Sequence, residues 1–380
     1  MTFSSVLGKL EQRFRPSRPL IEVGISKENL LHNLHTYQKQ YPHLLFAPVL
    51  KSNAYGHGLC VIAKLLDKER IAFFMVDSLY EARTLRQGGI RSRIVVVGFV
   101  RPEDIAANRL RDIDFALVDL EQLRAVAKRA RRSVRIHLKL DTGMHRQGIL
   151  PEDIPEALRC IASNQVLRVT GVCSHLADAD GPNSTNTDAQ LRLWNENLAG
   201  IQEAFPTIEY THLAATKGIA WAKAAHTTVA RLGIGLYGFD TAPDGYAPVR
   251  PVLEVRTLIT SVRRIPAGDF VGYNATYEAT KPVRIATVPI GYSEGIDRGL
   301  SNTGSMRVNG LSAPLAGRVS MNMSSLDITD IPHAAQGDTV IAISRNLQEQ
   351  NSVAGMARQA NTTPYVILTH IPQHLRRIVE

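Results

Sequence analysis

The feature that most constrains the fold is a series of eight short apolar runs between residues 44 and 232, which alternate with stretches of helical spacing. Most of these runs are unbroken Val, Ile, Leu and Phe, which is typical of strands buried on both faces and therefore of parallel pairing. Repeated strand–helix units of this kind predict an α/β fold, a closed (β/α)8 TIM barrel, with a doubly wound open sheet as the alternative. The predicted strands are Leu44–Leu50, Ala72–Val76, Ile94–Val97, Phe115–Val118, Val134–Leu140, Leu167–Cys173, Ile208–Leu213 and Val229–Leu232.

Beyond about residue 250 the pattern changes to short strands separated by Pro-Ala-Gly and Asn-Gly turn signals. Leu253–Thr260 and Val283–Val288 have the spacing of strands, and a helical pattern returns only at Val353–Gln359. With 380 residues the chain is long for a single core. The sequence therefore predicts two domains: a barrel over residues 1–247 and a mainly β domain over residues 248–380.

Charge and cysteine content favour a soluble cytoplasmic protein. The net charge is +9, and the basic run Lys128–Arg135 has no interleaved aromatic residue, so it indicates a solvated helix end rather than a nucleic-acid surface. No apolar run approaches the roughly 20 residues of a membrane helix, and the first 19 residues lack the apolar core of a secretory signal. The three cysteines include no CxxC, and neither a disulfide framework nor a metal site is predicted.

Lys51 is the first candidate for chemistry. It ends the first apolar run and precedes a loop with two glycines, Ser52–Gly58. Partial burial at such a strand end disfavours the ammonium form and lowers the pKa of a lysine. A neutral amine attacks an aldehyde or ketone to form a Schiff base. From these residues alone, an ordinary surface lysine at a strand end is the alternative.

The surrounding segment, Ala47–Gly58, reads APVLKSNAYGHG and resembles the lysine motif of alanine racemases, which usually reads VKANAYGHG. Other segments match that family in order across nearly the whole chain, among them LDTGMHRQG, ARLGIGLYG and GYNATY. The resemblance implies pyridoxal 5'-phosphate as the cofactor, held as a Schiff base by Lys51. It also implies an isomerase that interconverts L-alanine and D-alanine and so supplies a peptidoglycan precursor.

The resemblance implies two catalytic bases, Lys51 and Tyr273, on opposite faces of the substrate. Tyr273 is the first tyrosine of GYNATY. In the family this tyrosine comes from the partner subunit, so a homodimer with composite sites is implied. A tyrosine with a pKa of about 10 is a poor base at neutral pH and needs a positive neighbour or a coupled base.

Five further residues match family positions around the cofactor ring and the substrate. Arg231 matches the arginine that faces the pyridine nitrogen; because a guanidinium does not accept a proton, it keeps that nitrogen unprotonated. His175 matches the histidine that supports this arginine. Arg146 matches a contact to the cofactor's phenolic oxygen and the substrate carboxylate, and Met321 a backbone contact to the substrate. Lys139 matches a lysine that is carbamylated in some members.

The matching phosphate ligands are backbone N–H groups and hydroxyls. Gly233 and Ile234 match the backbone donors, and Tyr55 and Tyr365 match the side-chain donors. Thr216 stands where the family usually has serine, and the sequence predicts that it caps a short helix. Backbone donors at a helix start are well suited to a phosphate.

Two departures from the family concern the substrate. The chain has Ala215-Thr216 where the family commonly has Asn-Ser, and Met321-Asn322 where it commonly has Met-Asp. Loss of that carboxylate removes a negative charge near the substrate, so a serine or broad-specificity racemase is an alternative. A non-catalytic pyridoxal-phosphate-binding protein would lack the second domain and Tyr273. An aldolase or decarboxylase on a related barrel would need different second-domain motifs or a metal site.

Overall fold

The structure, a computed structural model, describes residues 19–179, 185–206, 208–239 and 248–380. Nine strands precede the second domain: β1 (Glu22–Ile25), β2 (Leu45–Pro48), β3 (Phe74–Val76), β4 (Ile94–Val96), β5 (Ile113–Leu117), β6 (Val134–Lys139), β7 (Leu167–Cys173), β8 (Tyr210–His212) and β9 (Val229–Leu232). Strands β3 to β8 pair in chain order and β2 pairs with β9, all in parallel. Hydrogen bonds from Leu50 N to Met75 O (2.8 Å) and from Arg231 N to Ala214 O (3.0 Å) close the ring. The predicted barrel is confirmed.

Helices cover the outside of the barrel: α1 (Lys27–Gln40), α2 (Leu59–Leu66), α3 (Leu79–Gln87), α4 (Pro102–Ala107), α5 (Leu120–Arg129), α6 (Ile154–Ala162) and α7 (Thr185–Ala204). Local sequence fixes their ends. The hydroxyl of Ser26, for example, accepts from Asn29 N (3.1 Å) at the start of α1. The predicted basic helix end is the last turn of α5, which carries Lys128 and Arg129. Within the described ranges, no helix combines the length and apolarity needed to cross a bilayer.

The second domain is mainly β, as predicted. Its elements are β10 (Leu253–Leu258), β11 (Ser261–Ile265), β12 (Phe270–Val271), β13 (Tyr277–Glu278), β14 (Val283–Val288), β15 (Ser305–Val308), β16 (Leu311–Pro314), β17 (Ser324–Asp327), β18 (Thr339–Ile343), α8 (Val353–Gln359), α9 (Pro364–Thr369) and β19 (Arg376–Val379). The larger sheet has the order β16-β15-β18-β10-β1-β19 and the smaller one β11-β14-β17. The helix predicted at Val353–Gln359 has the predicted bounds.

Strand β1 lies in this second sheet although it precedes the barrel in the chain. It pairs antiparallel with β10 and parallel with β19. Glu380 also contacts the end of β1 and the segment that follows it, since Glu380 N donates to Ile25 O (2.9 Å) and Lys27 N donates to Glu380 O (3.1 Å). The sequence did not indicate this strand. The predicted domain boundary near residue 247 lies outside the described residues.

After β2 the chain makes a left-handed helical turn, Lys51–Tyr55, a conformation that is unfavourable for residues other than glycine. Ser52, Asn53, Ala54 and Tyr55 have φ of 55, 56, 53 and 51°, and none of them is glycine. Left-handed backbone costs an L-residue roughly 1–2 kcal/mol. The surrounding structure must therefore hold this turn in place.

Candidate active site

A cavity of about 490 Å³ opens at the C-terminal ends of the barrel strands. Lys51 follows β2, Lys139 ends β6, His175 follows β7, Thr216 follows β8 and Gly233 follows β9. Parallel strands in a barrel bring these ends to one face. Ten of the twelve residues that match family positions line the cavity: Lys51, Tyr55, Lys139, Arg146, His175, Thr216, Arg231, Gly233, Ile234 and Tyr365.

The cavity wall carries five cationic side chains, Lys51, Lys139, Arg146, Lys217 and Arg231. Among the described residues that line it, none is Asp or Glu. Burial first, and then the neighbouring cations, lower the pKa of Lys139, whose Nζ donates to Gln147 Oε1 (2.9 Å). A concave site of one charge sign attracts ligands of the opposite sign. The chemistry of this wall therefore fits a ligand with more than one anionic group.

Arg231 is almost fully buried, and acceptors hold both terminal nitrogens of its guanidinium. One nitrogen donates to Ser174 O (2.7 Å) and His212 O (2.9 Å), and the other donates to Leu213 O (2.7 Å) and His175 Nδ1 (2.8 Å). Burial lowers the pKa of Arg231 to about 10, which leaves it charged at neutral pH. The ion pairs of the described chain do not include it. Its position is therefore fixed by neutral groups while its charge remains available to a ligand.

The contact with Arg231 fixes the tautomer of His175. A guanidinium only donates hydrogen bonds, so His175 Nδ1 must accept and the proton of the neutral ring lies on Nε2. Burial first, and then Arg231 and Arg146, lower the pKa of His175 to about 3. The ring is therefore neutral at physiological pH and presents an N–H on the side away from Arg231.

A group of hydroxyls and backbone N–H groups lies at one end of the cavity. Thr216 Oγ1 accepts from Gly233 N (3.2 Å) and Gly235 N (3.3 Å). The Tyr55 hydroxyl lies so close to Gly233 that a Cβ there would be 3.0 Å away. Burial raises the pKa of Tyr55, which keeps this hydroxyl protonated and able to donate. Converging N–H and O–H donors make an anion-binding cradle.

The prediction that Thr216 caps a helix is wrong. The structure has a 3-10 segment, Thr216–Trp221, whose N-cap residue is Ala215 with no side-chain cap bond. The Thr216 hydroxyl is instead engaged by the N–H groups after β9. Because the loop after β9 supplies these donors, the spacing around Thr216 could not indicate them.

Two predicted site residues, Tyr273 and Met321, do not line the cavity of their own chain. Tyr273 is 66% exposed and Met321 is 57% exposed on the second domain. Phe270 and Met323 are also more than half exposed there. The cavity of one chain therefore lacks two of the residues that the sequence predicted for the site.

Sequence reasoning missed Lys217 and the three carbonyls that hold Arg231. Lys217 directly follows Thr216, so its place in the motif was the available signal. The carbonyl acceptors of Ser174, His212 and Leu213 leave no side-chain pattern. Their common signal is only that they lie at or just after the ends of β7 and β8.

The substitution of Asn322 for the family's usual aspartate has a physical reason in this chain. Asn322 Nδ2 donates to Glu294 Oε1 (2.6 Å), and Glu294 is buried with its other oxygen accepting from Gly291 N (2.8 Å). An aspartate at position 322 would face this buried carboxylate with a second one. Like charges at that distance repel, and Glu294 is shielded from water although Asn322 is exposed.

Comparisons with known proteins agree with this geometry. The family described as "Alanine racemase, N-terminal domain" matches residues 25–241, and "Alanine racemase, C-terminal domain" matches residues 252–379. The chain is 34% identical to the alanine racemase of Syntrophobacter fumaroxidans over 92% of its own length and 94% of that protein. It resembles the alanine racemase crystal structure from Streptomyces lavendulae with a TM-score of 0.86, 29% identity and coverage of 96% of this chain and 98% of that one. For the Bacillus anthracis alanine racemase with bound L-Ala-P, the TM-score is 0.87, the identity 27% and the coverage 96% of each chain.

Proposed function

The chain belongs to the alanine racemase family, and from this membership we propose how it works: with pyridoxal 5'-phosphate held at Lys51, and with Lys51 and Tyr273 of a second copy as its two bases. The enzyme is an isomerase that interconverts L-alanine and D-alanine. The observation that carries the proposal is the cavity wall, with five cations and no carboxylate among its described residues.

The residues present fit the cofactor. When bound, pyridoxal 5'-phosphate supplies an aldehyde for a primary amine and a ring that withdraws electrons from the substrate's Cα. Tyr55, Thr216, Gly233, Ile234 and Tyr365 would hold its phosphate, because they line the donor-rich end of the cavity. Arg231 would face the ring nitrogen as a fixed cation that does not accept a proton.

Lys51 and Arg146 are the groups left free for the reaction. Within the described part of the chain neither side chain has a hydrogen bond or ion pair, although both line the cavity. Lys51 can therefore turn its amine toward the cofactor or hold a proton at the substrate's Cα. Arg146 remains available to pair with the substrate carboxylate.

The second base requires a second copy of the chain. Racemisation removes a proton from one face of Cα and returns one to the other, so a base is needed opposite Lys51. Tyr273 is absent from the cavity of its own chain and is exposed on the surface of the second domain, as are Phe270, Met321 and Met323. We infer that this patch packs against the cavity mouth of a partner in a homodimer with two composite sites.

Mixed dimers test both assignments. Lys51→Ala should abolish the visible absorbance of bound cofactor, and Tyr273→Phe should retain it but lose most racemisation. Each variant alone should then have little or no racemase activity. Subunit exchange should restore about a quarter of wild-type activity, because half of randomly paired dimers are mixed and each mixed dimer has one intact site.

Lys64→Ala, on helix α2 outside the cavity, is the matched control and should leave absorbance and activity unchanged. Retained absorbance in Lys51→Ala would contradict the role of Lys51 as the anchor. No recovery in a mixture shown to contain mixed dimers would contradict the composite site.

The second candidate is the same chemistry on serine or on several amino acids, favoured by Asn322 and Ala215. Rates with alanine, serine and lysine separate the two, and serine above alanine would overturn alanine as the substrate. The proposed setting is the cytoplasm, where D-alanine serves as a peptidoglycan precursor. The three cysteines, none of which forms a disulfide, support this compartment.

A further inference from the structure

The left-handed turn that begins at Lys51 is held at both ends by charged side chains from different domains. At its start, Ser52 N donates to Glu81 Oε1 (2.8 Å), and Glu81 lies on barrel helix α3. At its end, Arg377 of strand β19 donates to Gly56 O (2.7 Å). These two contacts are defined here as the turn clamp.

Glu81 divides its two carboxylate oxygens between two tasks. Oε2 accepts from Asp77 N (2.8 Å) and Ser78 N (3.3 Å), and Ser78 Oγ accepts from Glu81 N (3.2 Å), which is the capping box of α3. Oε1 is not needed for that box and reaches Ser52 instead. The first N–H groups of a helical turn have no partner inside the turn. Glu81 supplies such a partner for Ser52 N from outside the turn.

Arg377 connects the turn after Lys51 to the segment that precedes β19. One terminal nitrogen of its guanidinium donates to Gly56 O, and the other donates to Pro372 O (2.7 Å) and Leu375 O (2.6 Å). Burial lowers the pKa of Arg377 to about 10, so the group is charged at neutral pH and its hydrogen bonds are charge-assisted. The planar guanidinium of an arginine donates hydrogen bonds in two fixed directions at once. A lysine ammonium, on its flexible stem, holds such a pair of hydrogen bonds less rigidly.

The backbone conformation of the turn is unfavourable for the residues that adopt it. Four consecutive non-glycine residues have positive φ, and such backbone relaxes toward other conformations unless its surroundings hold it. Gly56, which follows them, is packed so closely that a Cβ there would lie 2.1 Å from Leu368 O in α9. The clamp and this packing therefore add contacts from outside the turn to the hydrogen bonds within it, such as that from Ala54 N to Leu50 O (2.8 Å), and help to keep the peptide after Lys51 in one position.

We propose that Glu81 and Arg377 are positioning residues for Lys51, and that through Arg377 the second domain completes the lysine site of the barrel. This inference rests on the proposed function of Lys51, but its first test does not need bound cofactor. Neither residue lines the cavity, so each acts through the backbone of the turn and not on substrate.

The first experiment compares Glu81→Ala with Ser78→Ala. Both variants damage the cap of α3, but only Glu81→Ala leaves Ser52 N without its acceptor. Amide hydrogen exchange in residues 50–58 of the cofactor-free protein should speed up about tenfold or more in Glu81→Ala and stay unchanged in Ser78→Ala. In the loaded enzyme, kcat should fall about 10- to 100-fold in Glu81→Ala with KM within about twofold, because small misplacements of a reacting group are costly.

The second experiment uses Arg377→Met, Arg377→Lys and the control Arg376→Met. Arg376 is the preceding residue of β19 and its side chain is exposed. Both Arg377 variants should show the same faster exchange in residues 50–58 and a lower kcat, because the lysine keeps the charge but loses the two-way fork. Arg376→Met should match the wild type in both readouts.

Equal exchange in Glu81→Ala and Ser78→Ala would reduce Glu81 to a helix cap and overturn its role. Full recovery of kcat in Arg377→Lys would show that charge alone suffices and overturn the role of the fork. A failure of the proposed function would be detected in a different experiment, as cofactor absorbance that survives Lys51→Ala. The hydrogen-exchange result on the cofactor-free protein does not depend on that outcome.

Discussion

At the scale of single residues, neighbours decide which cation is fixed and which is free. Arg231 and Lys51 line the same cavity, yet Arg231 has four acceptors and Lys51 has none within the described chain. The family motif located both residues from the sequence, because each lies in a short local pattern. Whether a side chain is held or free depends on acceptors from other strands, which the local pattern does not contain.

The pair formed by Asn322 and Glu294 gives a prediction at this scale. Asn322→Asp should lower the free energy of unfolding by about 1–3 kcal/mol at pH 7, because it replaces a donor with a second carboxylate beside a buried one. Repulsion raises the pKa of the pair in the folded state. The penalty is therefore present at neutral pH and shrinks as one carboxyl takes up a proton below about pH 5.

Urea unfolding at pH 7 and pH 4 measures this effect. Asn361→Asp is the matched control, since Asn361 is exposed like Asn322 but the described contacts give it no carboxylate partner. Equal loss at both pH values would show that the Asn322 variant is destabilised by packing and not by charge.

At the scale of secondary structure, buried barrel strands were predictable and the turn after Lys51 was not. The strand Val229–Leu232 has the predicted bounds because its apolar run is continuous and the strand is buried. The turn Lys51–Tyr55 contains Ser, Asn, Ala and Tyr where positive φ would favour glycine. Its conformation is supported by Glu81, Arg377 and α9, which come from distant parts of the chain.

Ser52→Gly tests the strain in this turn. Relief of left-handed backbone is worth roughly 1–2 kcal/mol and the added chain entropy costs about 0.5–1 kcal/mol, so the free energy of unfolding should rise by about 0.5–1 kcal/mol. The backbone N–H that binds Glu81 is retained. Urea unfolding gives the value.

Ser163→Gly serves as the comparison, because Ser163 has an ordinary φ of −79° at the end of α6. That variant should lose stability, since it adds chain entropy without relieving strain. A loss of stability in Ser52→Gly equal to that in Ser163→Gly would argue that the turn stores no strain.

At the scale of the whole molecule, buried neutral histidines link stability to pH. Burial lowers the pKa of His57 to about 4, that of His175 to about 3, and that of His212 well below its ordinary value. In the unfolded chain all three titrate near 6.5. Between pH 6.5 and 4 the unfolded state therefore binds more protons, and stability should fall as the pH falls through this range.

Denaturant midpoints measured from pH 8 to pH 4 check this expectation. His333→Gln, at an exposed site, should leave the slope unchanged, whereas His57→Gln should reduce it. A midpoint that stays constant from pH 6.5 down to about pH 5 would contradict the assignment, because carboxylates whose pKa is lowered, such as Asp114, lose their stabilising contribution only below about pH 5.

The change of sequence pattern near residue 250 indicated two domains. The position of β1 in the sheet of the second domain was not predictable in this way. Strand β1 has only four residues, and its partners β10 and β19 lie more than 200 positions away. A local pattern cannot report such distant pairing.

This pairing sets an order for biosynthesis. As the ribosome releases the chain, β1 emerges first, and all eight barrel strands follow it before β10 is made. The barrel can thus close before β1 has a strand to pair with, and its parallel partner β19 is made only after β10 to β18. Arg377 lies in β19, so a nascent chain that has not yet released this strand lacks one of the two contacts of the turn clamp.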